Sequence, residues 1–81
     1  MNFETLSALD KKYILGTYGR FPAAVQSGKN AACQDFDGNA YIDFGSGIGV
    51  NALGFADEKW AAAVAAQAAK VQHTSNLYYT E

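Results

Sequence analysis

One cysteine, one histidine, one proline and one methionine are all that this 81-residue chain holds of those types. Each scarcity closes off a class of function. Cys33 has no cysteine to pair with, so no internal disulfide forms and nothing argues for export. His73 stands alone, so no histidine-based metal cluster is expected. Long apolar runs are also missing: the richest stretch is made of alanines interrupted by Gln67 and Lys70, which cannot serve as a transmembrane span. Basic charge is in short supply, with six Lys and Arg against eight Asp and Glu and no basic patch, which excludes nucleic acid as an expected partner. The opening residues, Met1 to Ser7, lack the charged start and apolar centre of a secretory signal. The default expectation is a soluble cytoplasmic protein with no membrane partner.

Core-forming material is scarce as well. Hydrophobic residues make up 49% of the chain, but fifteen of them are alanines, which bury little area each. A chain of this size buries about 60–65% of its unfolded surface. At roughly 25 cal/mol per Å² the resulting core comes out near break-even against chain entropy. The chain is therefore expected to lean on an outside surface.

What is present divides into five stretches. Phe3, Leu6, Leu9 and Tyr13 recur at three-to-four spacing and predict a short amphipathic helix over residues 3–13. Gly16 and Gly19 break that period, and Pro22 holds Phe21 extended, so residues 16–27 read as an extended arm. Ser27-Gly28-Lys29-Asn30 reads as a turn. Two strand-like runs, 31–36 and 39–44, flank Asp37-Gly38, a pair suited to a tight type I′ hairpin. In the second run Tyr41 and Asp43 face one way and Ile42 and Phe44 the other, as in a half-buried strand. Residues 45–54 hold four glycines and form a loop of unusual backbone angles. Residues 57–72 read as a helix capped by Asp57, rich in alanine, with Trp60, Val64, Ala68 and Val71 as its buried stripe. The tail from His73 to Glu81 stops without a cap or turn and looks cut. The fold class is an α+β fragment: helix, extended arm, antiparallel β-hairpin, Gly-rich loop, helix.

Four blocks in this order carry a resemblance: Tyr18-Gly-Arg-Phe-Pro22; Asp35-x-Asp37-Gly38-x-x-Tyr41-Ile-Asp43-Phe44; Ser46-Gly-Ile-Gly-Val-Asn51-Ala-Leu-Gly54; and His73-Thr-Ser-Asn76. Together they resemble the start of the class III aminotransferases, most closely the acetylornithine branch, from about residue 13 to residue 81. The resemblance implies a fold-type I enzyme using pyridoxal 5′-phosphate (PLP), with this chain as the N-terminal arm and small-domain segment, residues 1–81. It implies a homodimer with active sites at the subunit interface. The reaction implied moves the terminal amino group of N2-acetylornithine to 2-oxoglutarate in arginine biosynthesis. Ornithine, succinylornithine or 4-aminobutyrate is the alternative donor, and a short non-enzymatic interaction module is the alternative of another class. The family's ring-binding Asp, Schiff-base Lys and main substrate Arg are absent, so no residue here is expected to be catalytic. Two departures bear on the subfamily. Gly54-Phe55-Ala-Asp-Glu58 stands where family members usually have Gly-His-x-His-Pro, and Gln34 stands where an aromatic is common.

The same resemblance names site residues, each set beside a plainer reading. Tyr18 is expected by the substrate, against an aromatic that packs the arm down. Gly47, Ile48 and Gly49 are expected to line the substrate mouth, with Ile48 as an apolar wall, against a tight crossover with no ligand. Ser75 and Asn76 are expected in the cofactor region, across the dimer, as donors to the PLP phosphate; the plainer reading is a loop that caps its own backbone. Arg20 suits a carboxylate, but a surface ion pair is the stronger expectation. His73 reads as structural, Cys33 as a small buried hydrophobe. The five lysines read as solvated charges, since a Schiff-base lysine needs an apolar pocket.

Overall fold

The structure, a computed structural model, describes residues 1–81. Helix α1 runs Phe3–Tyr13, as its apolar spacing predicts. The Asn2 side chain caps it, accepting from the Thr5 amide at 2.9 Å, while Glu4 sits in the first turn and Lys11 and Lys12 in the last, each complementing the helix dipole. Residues 14–24 then form an arm without regular structure, held back to α1 by an ion pair from Arg20 to Asp10 at 3.3 Å.

Three strands follow, β1 (Val25–Lys29), β2 (Ala32–Asp35) and β3 (Ala40–Ile42), in one antiparallel sheet of that order. The turn expected at residues 27–30 is instead the end of β1, and the chain reverses at Asn30-Ala31, with Asn30 in the left-handed region at φ 53°. Gly28 explains the misreading. It serves close packing and not a turn: a Cβ there would lie 2.6 Å from the Phe55 ring. The β1–β2 register slips between Val25 and Ser27, where the strand carries a bulge.

The second hairpin forms where Asp37-Gly38 predicts it, but by a different turn. Only Gly38 has positive φ, at 87°, whereas type I′ needs both central residues there. The Gly38 amide donates to the Asp35 carbonyl at 3.2 Å, and the Asp35 amide donates to the Asn39 carbonyl at 3.0 Å. The loop therefore has three residues and closes with a left-handed glycine. The observed strands are shorter than the runs 31–36 and 39–44, and no residue of β3 is buried.

The Gly-rich segment holds the short turn α2 (Ser46–Gly49), and helix α3 then spans Glu58–Ala68. The Asp57 cap is confirmed by its side chain accepting from the Trp60 amide at 2.8 Å. The helix stops four residues short of Gln72, and its stripe is not buried: Trp60 is 59% exposed and Val64 48%. A short 3-10 turn, Ser75–Leu77, lies in the tail. No helix is long and apolar enough to cross a membrane.

No apolar residue of the chain is buried; the one buried residue is Asp35. The strands pack on one another, but neither long helix lies against the sheet. The radius of gyration is 16.6 Å, against about 12 Å for a compact domain of this length. The expected dependence on an outside surface follows from this shape: the helices and the arm present apolar faces with nothing of the chain's own to cover them.

Candidate functional site

Asp35, the last residue of β2, organises the second hairpin loop. Its carboxylate accepts four hydrogen bonds: from the Asp37 and Asn39 amides at 2.9 Å each, the Asn39 side-chain amide at 3.0 Å and the Tyr41 hydroxyl at 2.7 Å. The Asn39 side chain and then the Tyr41 hydroxyl do most to hold its pKa down to about 2, because each donor favours the charged form. The Tyr41 phenol is pushed up in turn, chiefly by its bond to that carboxylate. Asp35 was legible in the sequence only as part of a motif. The clue to its role was the spacing Asp35-x-Asp37-Gly38-Asn39-x-Tyr41, which puts an acceptor before a turn and donors on and after it.

Beyond β3 the chain enters the short helical turn α2 (Ser46–Gly49), which is wound left-handed. Ser46, Gly47, Ile48 and Gly49 have φ of 50°, 58°, 63° and 83°. For Ile48, a β-branched residue, this is an outlier that the surroundings must hold in place. Four hydrogen bonds do so. The Asp43 carboxylate accepts from the Gly45 and Ser46 amides at 2.9 and 3.0 Å. The Ile48 amide donates to the Gly45 carbonyl at 2.9 Å, and the Asn51 amide to the Ser46 carbonyl at 2.8 Å. The turn thereby carries the Ile48 side chain fully into solvent, 99% exposed.

The segment after α2 docks on the tip of the first hairpin. Asn30 and Phe55 exchange backbone bonds in both directions, at 3.0 and 2.7 Å. Gly54, at φ 79°, lies so close that a Cβ would be 2.7 Å from the Asn30 carbonyl oxygen. An ion pair from Lys29 to Glu58 at 3.0 Å continues the clasp to the start of α3.

The residues singled out from the sequence fall on three separate segments. Tyr18 lines an open groove of about 930 Å³ between α1 and the arm. Gly47, Ile48 and Gly49 make up the left-handed turn. Ser75 and Asn76 stand in the 3-10 turn of the tail, both exposed. No hydrogen bond, ion pair or packing of elements joins the three segments. Arg20 forms the surface ion pair expected of it, His73 is exposed, and Cys33 is half-buried in β2 opposite Tyr41.

Comparison with known proteins gives these segments a common frame. The family described as Aminotransferase class-III matches residues 14–81. The chain belongs to the class III aminotransferases. Among curated relatives, the acetylornithine aminotransferase of Haemophilus ducreyi is 52% identical over all 81 residues, and that of Wolinella succinogenes 51% over 74. The match covers 100% of this chain and 21% of the first relative, and 91% and 19% for the second. This class III chain thus spans about a fifth of the length of the curated relatives it matches. Among solved structures, the acetylornithine aminotransferase of Elizabethkingia anophelis superposes at a TM-score of 0.93 with 27% identity, over 100% of this chain and 21% of that one. The ornithine aminotransferase of Toxoplasma gondii gives 0.90 and 27%, over 100% and 19%.

Class III aminotransferases work with PLP, which when bound supplies the electron sink for moving an amino group. The residues of this chain do not by themselves fit that cofactor. All five lysines are exposed, Lys29 and Lys70 are ion-paired, and none has the apolar surroundings that make a lysine a Schiff-base nucleophile. No buried side-chain polar atom is left without a partner to mark a cradle. No step of the cofactor chemistry is assigned to this chain.

Proposed function

We propose that the chain is the N-terminal arm and small-domain segment of a dimeric, cytoplasmic aminotransferase that moves the terminal amino group of N2-acetylornithine to 2-oxoglutarate in arginine biosynthesis. One observation carries this reading: identity of 52% runs along the whole chain to an enzyme named for that donor. The non-enzymatic module is not favoured, because the relatives and structural neighbours are aminotransferases about five times longer. Ornithine, succinylornithine and 4-aminobutyrate are not favoured as donors, since the curated relatives above are named for acetylornithine.

Within that enzyme the proposed parts of this chain are modest. Tyr18 offers a phenol that hydrogen-bonds a carboxylate or amine of the donor without adding charge. The Gly47-Ile48-Gly49 turn lines the substrate mouth: the glycines let the backbone come close, and Ile48 faces the donor's methylene chain. Ser75 and Asn76 offer a hydroxyl and an amide as donors toward the cofactor phosphate, across the dimer. The lack of an internal core supports a segment whose apolar faces are covered by the remainder of the enzyme.

A chimera tests the reading directly. Residues 1–81 replace the matching fifth of the Haemophilus ducreyi enzyme, and transamination of N2-acetylornithine, ornithine, succinylornithine and 4-aminobutyrate is measured with 2-oxoglutarate. Activity greatest on N2-acetylornithine is the expected result. A soluble chimera that carries PLP yet prefers another donor, or uses none, sinks the assignment.

A further inference from the structure

We infer that Asp43 is a positioning residue for the amino donor: its carboxylate holds the left-handed turn, and with it Ile48, in the one orientation that lets the turn line the substrate mouth. The inference rests on the reading of that turn given above.

The geometry singles out Asp43 in three ways. First, it is hydrogen-bonded both to the loop of the first hairpin and to the left-handed turn. Its own amide donates to the Ala31 carbonyl at 2.8 Å, just before β2, and its carboxylate oxygen Oδ1 accepts from Gly45 and Ser46. Second, the residues it holds are the ones that begin the strained stretch. Ser46 and Ile48 carry side chains at positive φ, a strain that other contacts must offset. Third, no side-chain packing fixes Ile48. Its side chain touches no core, so its direction is set by the backbone alone, and the backbone is anchored on the upstream side by Asp43 and on the downstream side by the Asn51 amide. A side chain with no packing of its own is placed only as well as the turn that carries it.

Both bonds from Asp43 use a single oxygen, Oδ1. The function therefore depends on an acceptor at that place and not on negative charge. Asparagine presents an equivalent oxygen, serine a shorter and weaker one, and alanine none. That ordering separates this role from a charge effect on the substrate or from general support of the fold.

The experiment uses the full-length enzyme that carries this segment, as wild type and as Asp43→Ala, Asp43→Ser and Asp43→Asn. Hydrogen exchange of the peptide covering residues 45–51 is measured alongside KM and kcat for N2-acetylornithine and for ornithine. The expected result is faster exchange and a KM raised about tenfold in Asp43→Ala, the factor that one to two net hydrogen bonds correspond to, with kcat and PLP content nearly unchanged. Asp43→Ser falls between, and Asp43→Asn stays near wild type. Should Asp43→Ala fail to fold, the serine and asparagine variants still order the series. Unchanged exchange in the serine and alanine variants overturns the anchoring. Faster exchange with an unchanged KM overturns the link to the donor. Equal loss in the asparagine and alanine variants shows that charge, not the acceptor, was at work, and overturns the inference. A wild-type enzyme inactive on every amino donor removes the functional reading itself, which the exchange series distinguishes from a failure of the anchoring.

Discussion

The clasped hairpins, residues 25–56, and helix α3 differ in what holds them. The hairpins close on themselves. Asp35 satisfies the second loop, Asp43 the left-handed turn, and the Asn30–Phe55 bridge ties the far end back to the first loop. Helix α3 closes only its first turn, through Asp57, and leaves Trp60 and Val64 largely in solvent. Polar contacts are short-range and saturate within a few residues. Apolar burial needs an opposing surface of comparable area, which 81 residues with fifteen alanines do not supply. The hairpin region is therefore shaped by its own sequence, while the helices leave their apolar faces uncovered.

Within the hairpins the largest effect is expected at Gly54. Alanine there meets the Asn30 carbonyl oxygen and must adopt φ 79° besides, so Gly54→Ala should weaken the clasp by about 2 kcal/mol or more. Faster exchange of the Asn30 and Phe55 amides measures it, and unchanged exchange breaks the claim that this contact holds the two hairpin ends together.

A smaller effect is expected from Asp35, and it depends on pH. The folded pKa, about 2, lies below the ordinary value of 3.8, so the carboxylate stabilises the hairpin fully above the higher figure and loses that contribution as pH falls through the lower one. Denaturant midpoints of the full-length enzyme and its Asp35→Asn variant, followed from neutral pH downward, should differ most above pH 4 and converge toward pH 2. A gap that stays constant over that window shows that charge on Asp35 contributes nothing.

On the chain by itself the smallest effect is expected in α3, on the other side of the contrast. Trp60→Ala should alter amide exchange in the isolated chain by less than about 0.5 kcal/mol, because no partner surface is lost. In the full-length enzyme the same substitution should cost about 3–5 kcal/mol, the value for an aromatic removed from a packed site. Equal, small effects in both settings would place α3 on the enzyme's outer surface and remove the contrast.

The misread elements share a cause. Helix α1, the Asp57 cap, the Asp37-Gly38 loop and the Gly-rich segment were legible because each depends on residues within four positions of one another. Gly28 was read as a turn because its partner, the Phe55 ring, lies far along the chain. The Trp60 stripe was read as core because helical spacing reports which face is apolar, not what covers it. The left-handed winding of α2 was signalled by its glycines, but that Ile48 would share it was not, since a β-branched residue takes positive φ only when neighbours on both sides impose it.

The sequence by itself determined the family, the order of the elements, their caps and the lack of a self-sufficient core, because these follow from composition, short-range hydrogen bonding and motif spacing. Only the tertiary structure decided that Gly28 and Gly54 make room for a clasp, that Asp35 is the single buried residue, and that Asp43 joins the loop of the first hairpin to a left-handed turn. Those facts are contacts at distance and backbone angles imposed from both sides, and no local pattern encodes them.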